Sequence, residues 1–325
     1  MKLTPEEQEV KAENKSQNLL NQVIPVIKRS TEGAYESQRR YTATAKRFCK
    51  YLGGNTNLQN FKNVEVRHVR GYVEYLQSNG CKPGYILTEL SAIKWIHCRI
   101  NPKRNLPKSN RSFLVARRQL YKLDKSILKH EFDGLIKTAL RMNRTDVVIE
   151  AYMDRYFGLR HEEFVTLRVH QIEYALKYKQ LNLKNTKGGQ ERDIPVETKL
   201  QENILKRVLA FAKKNGKYSM DYIICDNHKD SVRKKKKSLE NWMNNNKKNF
   251  VDPERTKYRK PGKRPRDTTI HWHSLRHSYY QETKARLKAE GRLTDAQIER
   301  ELSECMGHHR NDVNNTYSDE LERIK

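Results

Sequence analysis

Two histidine-containing motifs and one tyrosine near the end of the chain have the residue types that phosphate chemistry needs. His273 and Arg276 form a His-x-x-Arg pair, whose spacing places an imidazole and a guanidinium on one face of a turn or helix start. Both groups can there reach a single anion, and phosphate is the obvious one. Gly307-His308 follows, and Tyr317 supplies a phenol oxygen further on. The combination favours phosphoryl transfer through a phosphotyrosine.

Two upstream segments hold basic residues in distinctive surroundings. Residues 158–163 read Gly-Leu-Arg-His-Glu-Glu and contain Arg160, and residues 186–189 read Thr-Lys-Gly-Gly and contain Lys187. With the downstream residues, this order resembles the tyrosine recombinase (phage integrase) family, in which an Arg, a Lys, a His-x-x-Arg, a second His or Trp, and a Tyr follow one another. The resemblance rests on five chemically demanding positions, and it covers most of the chain from residue 124 onward.

The resemblance implies a role for each of these side chains. A phosphodiester resists cleavage because its charge repels nucleophiles and its alkoxide leaves poorly, so a catalyst needs cations and an acid. Arg160 and Arg276 would hold the non-bridging oxygens. Tyr317 would attack phosphorus in line, and Lys187 would be the general acid for the departing 5′ oxygen. A 3′-phosphotyrosyl bond and a free 5′-hydroxyl would result.

Four further positions are assigned by the same resemblance. His273 would assist proton transfer from or near the tyrosine, and His308 would hydrogen-bond a non-bridging oxygen. The adjacent His309 is the alternative to His308 as the working imidazole. Glu163 would help to hold the site together. Nothing in this scheme requires a metal or a nucleotide cofactor.

Composition favours a polyanion as the partner. Lys and Arg number 66 against 39 Asp and Glu, which gives a formal charge of +27 spread along 325 residues. No apolar run approaches the roughly 20 residues needed to span a bilayer, and no signal-peptide pattern opens the chain. A cytoplasmic, nucleoid-associated protein is expected. The five scattered cysteines fit reduced thiols better than a disulfide framework or a structural zinc site.

Residues 16–100 are predicted to form a helical DNA-binding domain. A polar and acidic lead, residues 1–15, precedes it, either as a short helix start or as a disordered segment. Apolar spacing indicates four short helices with basic outer faces, and Pro25 is expected to end or kink the first of them. They look like the core-binding domain of the family. The candidate DNA contacts in this domain are Arg39, Lys46, Arg47 and Lys94. For any one of them a solvated helix face is the usual alternative.

A segment rich in Pro, Asn and basic residues, 101–110, is predicted to link this domain to a catalytic domain over 111–325. In the catalytic domain, Gly158 is expected to end a helix and to place Arg160 near the start of the next one. Three short strands are also predicted, at residues 172–178, 180–185 and 192–196, with Lys187 at the tip of the second turn.

The most basic part of the catalytic domain, about 229–266, is interpreted as an insertion. It is either a phosphate-contacting segment that orders on DNA or a solvated loop. Lys234 and Lys235 are its candidate DNA contacts. Trp242 and Phe250 indicate that part of it packs against the core.

The fold class expected from these features is mainly α-helical with a small antiparallel β-sheet. It would combine an α-helical core-binding (SAM-like) domain with a tyrosine-recombinase catalytic domain. The function implied is site-specific DNA recombination, for integration or excision of a mobile element. Its partners would be double-stranded DNA with a specific site, three further copies of the chain in a homotetramer on two DNA sites, and accessory DNA-bending proteins. The alternatives are a chromosome- or plasmid-resolving recombinase, a nicking-closing enzyme resembling type IB topoisomerases, and a non-catalytic DNA-binding relative.

Overall fold

The chain forms two compact units, Met1–Tyr121 and Lys122–Lys325, each with its own apolar core. The computed structural model describes residues 4–30, 35–116 (35 and 36 by their backbone only), 123–184, 191–259, 262–307, 314 and 316–319. Helices dominate both units, and the second also holds a two-stranded antiparallel sheet. The fold class predicted from the sequence is therefore confirmed. None of the helices in the described part of the chain has the length and apolarity needed to cross a bilayer.

The first unit consists of four helices around one core. They are α1 (Pro5–Arg29), α2 (Tyr35–Asn55), α3 (Val66–Ser78) and α4 (Pro83–Arg99), with single 3-10 turns at Phe61–Asn63 and Asn110–Phe113. The unit extends past residues 101–110, the segment predicted as a linker, because Phe113 is buried in the same core.

The N-terminal lead takes the helical one of its two predicted alternatives. The Thr4 hydroxyl accepts a hydrogen bond from the Glu7 amide at 3.2 Å, and the Glu7 carboxylate accepts one from the Thr4 amide at 2.8 Å. This reciprocal pair is a capping box, which satisfies amide donors that the first helical turn leaves without partners. Helix α1 therefore begins at Pro5.

Helix α1 also continues through Pro25 to Arg29, where the sequence predicted an end or a kink. Proline removes one helical hydrogen bond, at a cost of about 3 kcal/mol. Leu19, Val23 and Ile27 lie on one buried face of the helix, each at most 1% exposed. Burial of such side chains contributes about 1.5–3 kcal/mol each, which outweighs the lost bond.

The second unit contains eight helices in its described residues. They are α5 (Lys129–Arg141), α6 (Thr145–Phe157), α7 (His161–Val165), α8 (Val169–Tyr178), α9 (Lys199–Lys214), α10 (Lys229–Asn246), α11 (Trp272–Glu290) and α12 (Asp295–Cys305). Two 3-10 turns, Lys247–Asn249 and Arg255–Tyr258, follow α10. Helix α11 carries the His-x-x-Arg pair and packs against α6, so it is central to the unit.

The predicted strand at residues 172–178 is wrong, since this segment belongs to helix α8. Val169, Ile172 and Ala175 recur every third residue and are all buried, which is the spacing of a helix face. The β-branched and aromatic residues of the segment suggested a strand, but tertiary packing outweighs that propensity. The Gln171 side chain also accepts a hydrogen bond from the Arg168 amide at 2.9 Å, which caps the helix start.

The other two predicted strands are confirmed. Strand β1 (Gln180–Leu183) pairs antiparallel with β2 (Arg192–Pro195), so that Leu181 lies opposite Ile194 and Leu183 opposite Arg192. The turn that joins them, with Lys187, lies outside the described residues.

The first part of the basic stretch 229–266 is helical and packs against the core, whereas its described residues after Tyr258 form no helix or strand. Its first half is helix α10, which buries Leu239, Trp242 and Met243 on one face. The rings of Trp242 and Phe250 stack 6.1 Å apart, which confirms that this part packs. Helix α10 packs against the core because its apolar residues form a narrow stripe on one face of an otherwise strongly basic sequence.

Candidate active site

The turn between α6 and α7 positions the first arginine. Gly158 ends α6 with φ of +60°, and a Cβ at this position would lie 2.3 Å from Tyr279 Cδ1, so only glycine fits. Arg160 follows directly before α7. Its amide donates to Glu163 Oε2 at 2.7 Å, and its Nη1 donates to Glu163 Oε1 at 2.6 Å. One carboxylate therefore holds both the backbone and the guanidinium of Arg160.

His161 connects this turn to its surroundings. Its Nδ1 is hydrogen-bonded to the Glu150 carboxyl, and its Nε2 donates to the Lys236 carbonyl at 3.2 Å. Burial raises the pKa of Glu150 well above its ordinary value and lowers the pKa of His161, so both shifts favour the neutral forms of the two groups. The imidazole also stacks parallel to Trp272 at 5.9 Å. The arginine turn is thus tied to α6, α10 and the start of α11.

The second arginine reaches the same place from α11. Arg276 is fully buried, its Nη1 donates to the Gly158 carbonyl, and its Nη2 donates to the Met306 carbonyl. Arg160 Nη2 donates to the Met306 carbonyl as well, at 3.1 Å. Residues separated by more than a hundred positions in the sequence therefore converge on one carbonyl oxygen.

A third guanidinium, which the sequence analysis did not single out, completes the cluster. Arg192 at the start of β2 donates from Nη1 to the Met306 carbonyl at 2.8 Å and from Nη2 to Glu163 Oε2 at 2.7 Å. Its Nη2 is also 3.3 Å from the Gly158 carbonyl. Arg192 and Ile194 alternate as buried positions of β2. The alternation of inward and outward positions along β2 was the sequence signal that could have identified Arg192 as a buried residue of the site.

The cluster is cationic because three guanidiniums face one carboxylate. Burial alone raises the pKa of Glu163, but Arg192, Arg276 and Arg160 outweigh that effect and hold the pKa below its ordinary value. Burial lowers the pKa of Arg192 to about 9 and lowers that of Arg276 too. Guanidinium groups stay protonated in proteins, so the cluster carries a net positive charge. The site is therefore suited to an anion.

Tyr317 lies against this cluster. Its side chain is buried, and its hydroxyl is 3.5 Å from Arg276 Nε. Its ring centroid is 5.3 Å from that of His273 and 4.6 Å from that of His277. The Gln281 side chain donates to the Tyr317 carbonyl at 3.1 Å, which anchors the backbone to α11. The tyrosine thus reaches the arginines within a single unit of the chain.

The two histidines near Tyr317 are neutral at pH 7. Desolvation and the neighbouring Arg276 lower the pKa of His273 to about 4, although the residue remains exposed at the surface. Burial and the proximity of His273 lower the pKa of His277 to about 2. A neutral imidazole beside a phenol can accept its proton.

Lys187, His308 and His309 lie outside the described residues, and their assignments stay predictions. Met306 and Gly307, directly before His308, are part of the arginine cluster. Among the residues that the structure describes, no group of His, Cys, Asp and Glu side chains is arranged to hold a metal ion.

The candidate DNA contacts of the first unit differ in their surroundings. Arg39 and Lys46 are exposed on α2. Arg47 is committed to the buried Glu89 carboxylate at 2.6 Å, although its side chain is 44% exposed. Lys94 donates to the Lys108 carbonyl at 2.8 Å and so holds an internal turn. Contact with DNA remains a prediction for all four.

The two candidates on α10 differ in the same way. Lys234 is exposed, whereas Lys235 is half-buried and pairs with Asp146 at 3.3 Å. Lys234 therefore fits the role of a phosphate contact better than its neighbour, and both assignments remain predictions.

Comparisons with known proteins can be set against this geometry. Neither a family model nor a curated protein sequence matches the chain. The fold is similar to that of the Tn1549 transposon integrase in complex with transposon right end DNA, at 14% identity, a TM-score of 0.55, and coverage of 94% of this chain and 95% of that chain. It is also similar to a lambda integrase tetramer bound to a Holliday junction, at 10% identity, a TM-score of 0.62, and coverage of 95% and 79%.

A lambda integrase dimer bound to a COC′ core site gives a third match, at 12% identity, a TM-score of 0.57, and coverage of 95% of this chain and 98% of that chain. The integrases matched here are tyrosine recombinases. The protein therefore has the tyrosine recombinase fold along nearly its whole length. The resemblance predicted from the site residues is confirmed at the level of fold.

Proposed function

We propose that this protein is a site-specific DNA recombinase that cuts and rejoins strands through a 3′-phosphotyrosyl intermediate on Tyr317. One observation carries the proposal: the Tyr317 hydroxyl lies 3.5 Å from Nε of a buried arginine, Arg276, which shares an acceptor with Arg160. A phenol beside paired guanidiniums is the arrangement needed to bind a phosphodiester and attack it. The fold supports the same conclusion.

In the proposed reaction, Arg160 and Arg276 hold the non-bridging oxygens of the scissile phosphate. The Tyr317 oxygen forms a bond to phosphorus while the bond from phosphorus to the 5′ oxygen breaks. The phenol proton passes to the neutral His273, and Lys187 gives a proton to the departing 5′ oxygen. The energy of the broken bond is kept in the phosphotyrosine, so a 5′-hydroxyl from another strand can reverse the step.

Two further residues support this chemistry. His308 donates a hydrogen bond to a non-bridging oxygen, with His309 as the alternative, and Glu163 keeps Arg160 oriented. None of these steps calls for a metal or a nucleotide cofactor.

The proposed biological role is integration or excision of a mobile element. The Tn1549 neighbour is a transposon integrase on transposon end DNA, and the lambda neighbour is a tetramer on a Holliday junction. By analogy, we propose double-stranded DNA with a specific site as substrate and a homotetramer on two such sites as the working assembly. The strong positive charge of +27 suits that partner. Accessory DNA-bending proteins belong to the same proposal.

The proposal is tested by trapping the covalent intermediate. Duplexes that the protein binds are selected from a random pool, and a nick next to the cleavage position then prevents religation. The wild type should form an adduct with DNA that survives denaturant, and Tyr317→Phe should bind the DNA without forming it. Tyr279→Phe is the matched control, since it removes a phenol oxygen from a buried ring of α11. We expect this control to form the adduct.

If Tyr317→Phe still forms the adduct, Tyr317 is not the nucleophile. Absence of any adduct in the wild type on selected DNA contradicts the enzymatic proposal as a whole. Strand exchange between two sites, compared with relaxation of a supercoiled plasmid carrying one site, separates a recombinase from a nicking-closing enzyme.

A further inference from the structure

Arg192 has no role in the reaction described above, yet it is built into the centre of the site. We propose that Arg192 is a positioning residue for strand cleavage, which holds Glu163 and the Met306 carbonyl in the places that Arg160 and Arg276 require. This inference rests on the proposed function. Arg192 acts through these groups and not by contact with the nucleophile.

The burial of Arg192 indicates a role beyond stability. Its side chain is 2% exposed, and that of its partner Glu163 is 5% exposed. Transfer of each such charge from water costs several kcal/mol, and a well-packed apolar pair at the same place is often as stable or more so. A buried pair of this kind is therefore weak evidence for stabilisation. The buried ion pair of Arg192 and Glu163 instead fixes the orientation of the neighbouring charged groups.

The geometry of the guanidinium explains how it does so. Arg192 joins three separate parts of the unit: Gly158 at the end of α6, Glu163 in α7, and Met306 at the end of α12. A planar fork with several donors can serve three acceptors at once, whereas the single ammonium of a lysine cannot do so with the same directions. Strand β2, which begins at Arg192, is thereby fixed to the site.

The backbone beyond α12 is shaped around this side chain. Gly307 has φ of +60°, and a Cβ on it would lie 3.0 Å from Arg192 Cδ and 3.1 Å from its Nη1. The chain that leads into His308 therefore passes directly over the guanidinium. Loss of Arg192 would release both this segment and Glu163. A displacement of about 1 Å in such a site can slow a reaction about a hundredfold.

The test compares Arg192→Lys with Arg255→Lys in the full-length protein. Arg255 is 1% exposed, forms an ion pair with Glu131 at 3.0 Å, and donates to the carbonyls of Ser126, Asp267 and Thr269. It is thus a buried arginine of the same kind, and these partners lie outside the arginine cluster. Three quantities are measured for each variant: thermal stability, affinity for the selected duplex, and the rate of adduct formation at saturating DNA.

We expect both variants to lose stability, and Arg192→Lys alone to form the adduct about a hundredfold more slowly. Its affinity for the duplex should change much less than its rate. In Arg192→Ala, added guanidinium ion should restore part of the rate, and methylammonium should not. If Arg192→Lys does not fold, Arg192→Gln, which keeps donors without the charge, takes its place.

An unchanged rate in Arg192→Lys or its replacement overturns the inference. So does equal slowing in the Arg192 and Arg255 variants, because that outcome marks a structural role. These results leave the proposed function intact, since the wild type still forms the adduct. A wild type without an adduct contradicts both.

Discussion

The carboxylate of Glu163 gives a prediction whose size can be worked out from the structure. It accepts charge-assisted hydrogen bonds from Arg160 Nη1 at 2.6 Å and from Arg192 Nη2 at 2.7 Å. Removal of one partner from a buried ion pair costs about 3–5 kcal/mol, because the other charge is left uncompensated. The amide oxygen of Glu163→Gln can still accept one bond, so we expect a loss of about 3 kcal/mol in the free energy of unfolding.

For a unit of this size, each kcal/mol lowers the midpoint of thermal unfolding by about 2–4 °C, which gives a total of about 6–12 °C. Glu162→Gln is the matched control. The Glu162 side chain is 54% exposed and pairs with Lys236 at the surface. Exposed pairs contribute at most about 1 kcal/mol, so the control should unfold close to the wild type.

The assay must report on the second unit alone. The chain has three tryptophans, of which Trp95 lies in the first unit, and Trp242 and Trp272 are buried in the second. In a Trp95→Phe background, tryptophan fluorescence during urea unfolding follows only the second unit. Glu163→Gln and Glu162→Gln are compared in that background at pH 7.

The pH dependence provides an independent check. The surrounding guanidiniums hold the pKa of Glu163 below its ordinary value in the folded state. The carboxylate's contribution is therefore fully present above the unfolded pKa of about 4.3, and it is lost as pH falls through the folded pKa. The stability difference between wild type and Glu163→Gln should shrink in that acidic range. Equal stability at pH 7, or a difference that stays constant on acidification, would refute the reasoning.

Three other outcomes are expected. Gly307→Ala should destabilise more than Gly216→Ala in urea unfolding: both have positive φ, worth about 1–2 kcal/mol, but only Gly307 has the Arg192 side chain at 3.0 Å. The His273 ring should stay neutral in nuclear magnetic resonance titrations until the pH nears 4, and protonation near 6.5 would contradict its environment. Lys234→Ala should weaken DNA binding and lower the slope of log affinity against log salt by about one, whereas Lys234→Arg should leave both unchanged. An unchanged slope in Lys234→Ala would show that Lys234 does not contact a phosphate.

The sequence was most informative where chemistry restricts the residue types. Arg160, Arg276 and Tyr317 were predicted to share one site, and the structure brings all three together. Such residues can be found by type and order because no other side chains bind phosphate with the same geometry or supply the same oxygen. Gly158 was predicted to end a helix for a comparable local reason, since its left-handed conformation favours glycine.

Local patterns were less informative where several structures fit the same residues. Residues 172–178 have a composition typical of a strand, but the segment is helical because three residues of α8 are buried on one helical face. The basic stretch 229–266 was compatible with a phosphate-contacting segment or with a solvated loop, and three apolar residues on one face of α10 pack that helix against the core. In both cases the conformation depends on the free energy of packing against distant elements. Intrinsic secondary-structure propensity does not include that contribution.

The sequence by itself determined which residues carry the proposed chemistry, the four helices of the first unit, and the existence of a small antiparallel sheet. Only the tertiary structure decided which of the many cations face inward. Arg192 became part of the site, and Arg47 and Lys235 became partners of Glu89 and Asp146. The physical reason is that a buried charge is stable only where acceptors from other parts of the chain meet it, and a linear pattern does not record where those acceptors lie.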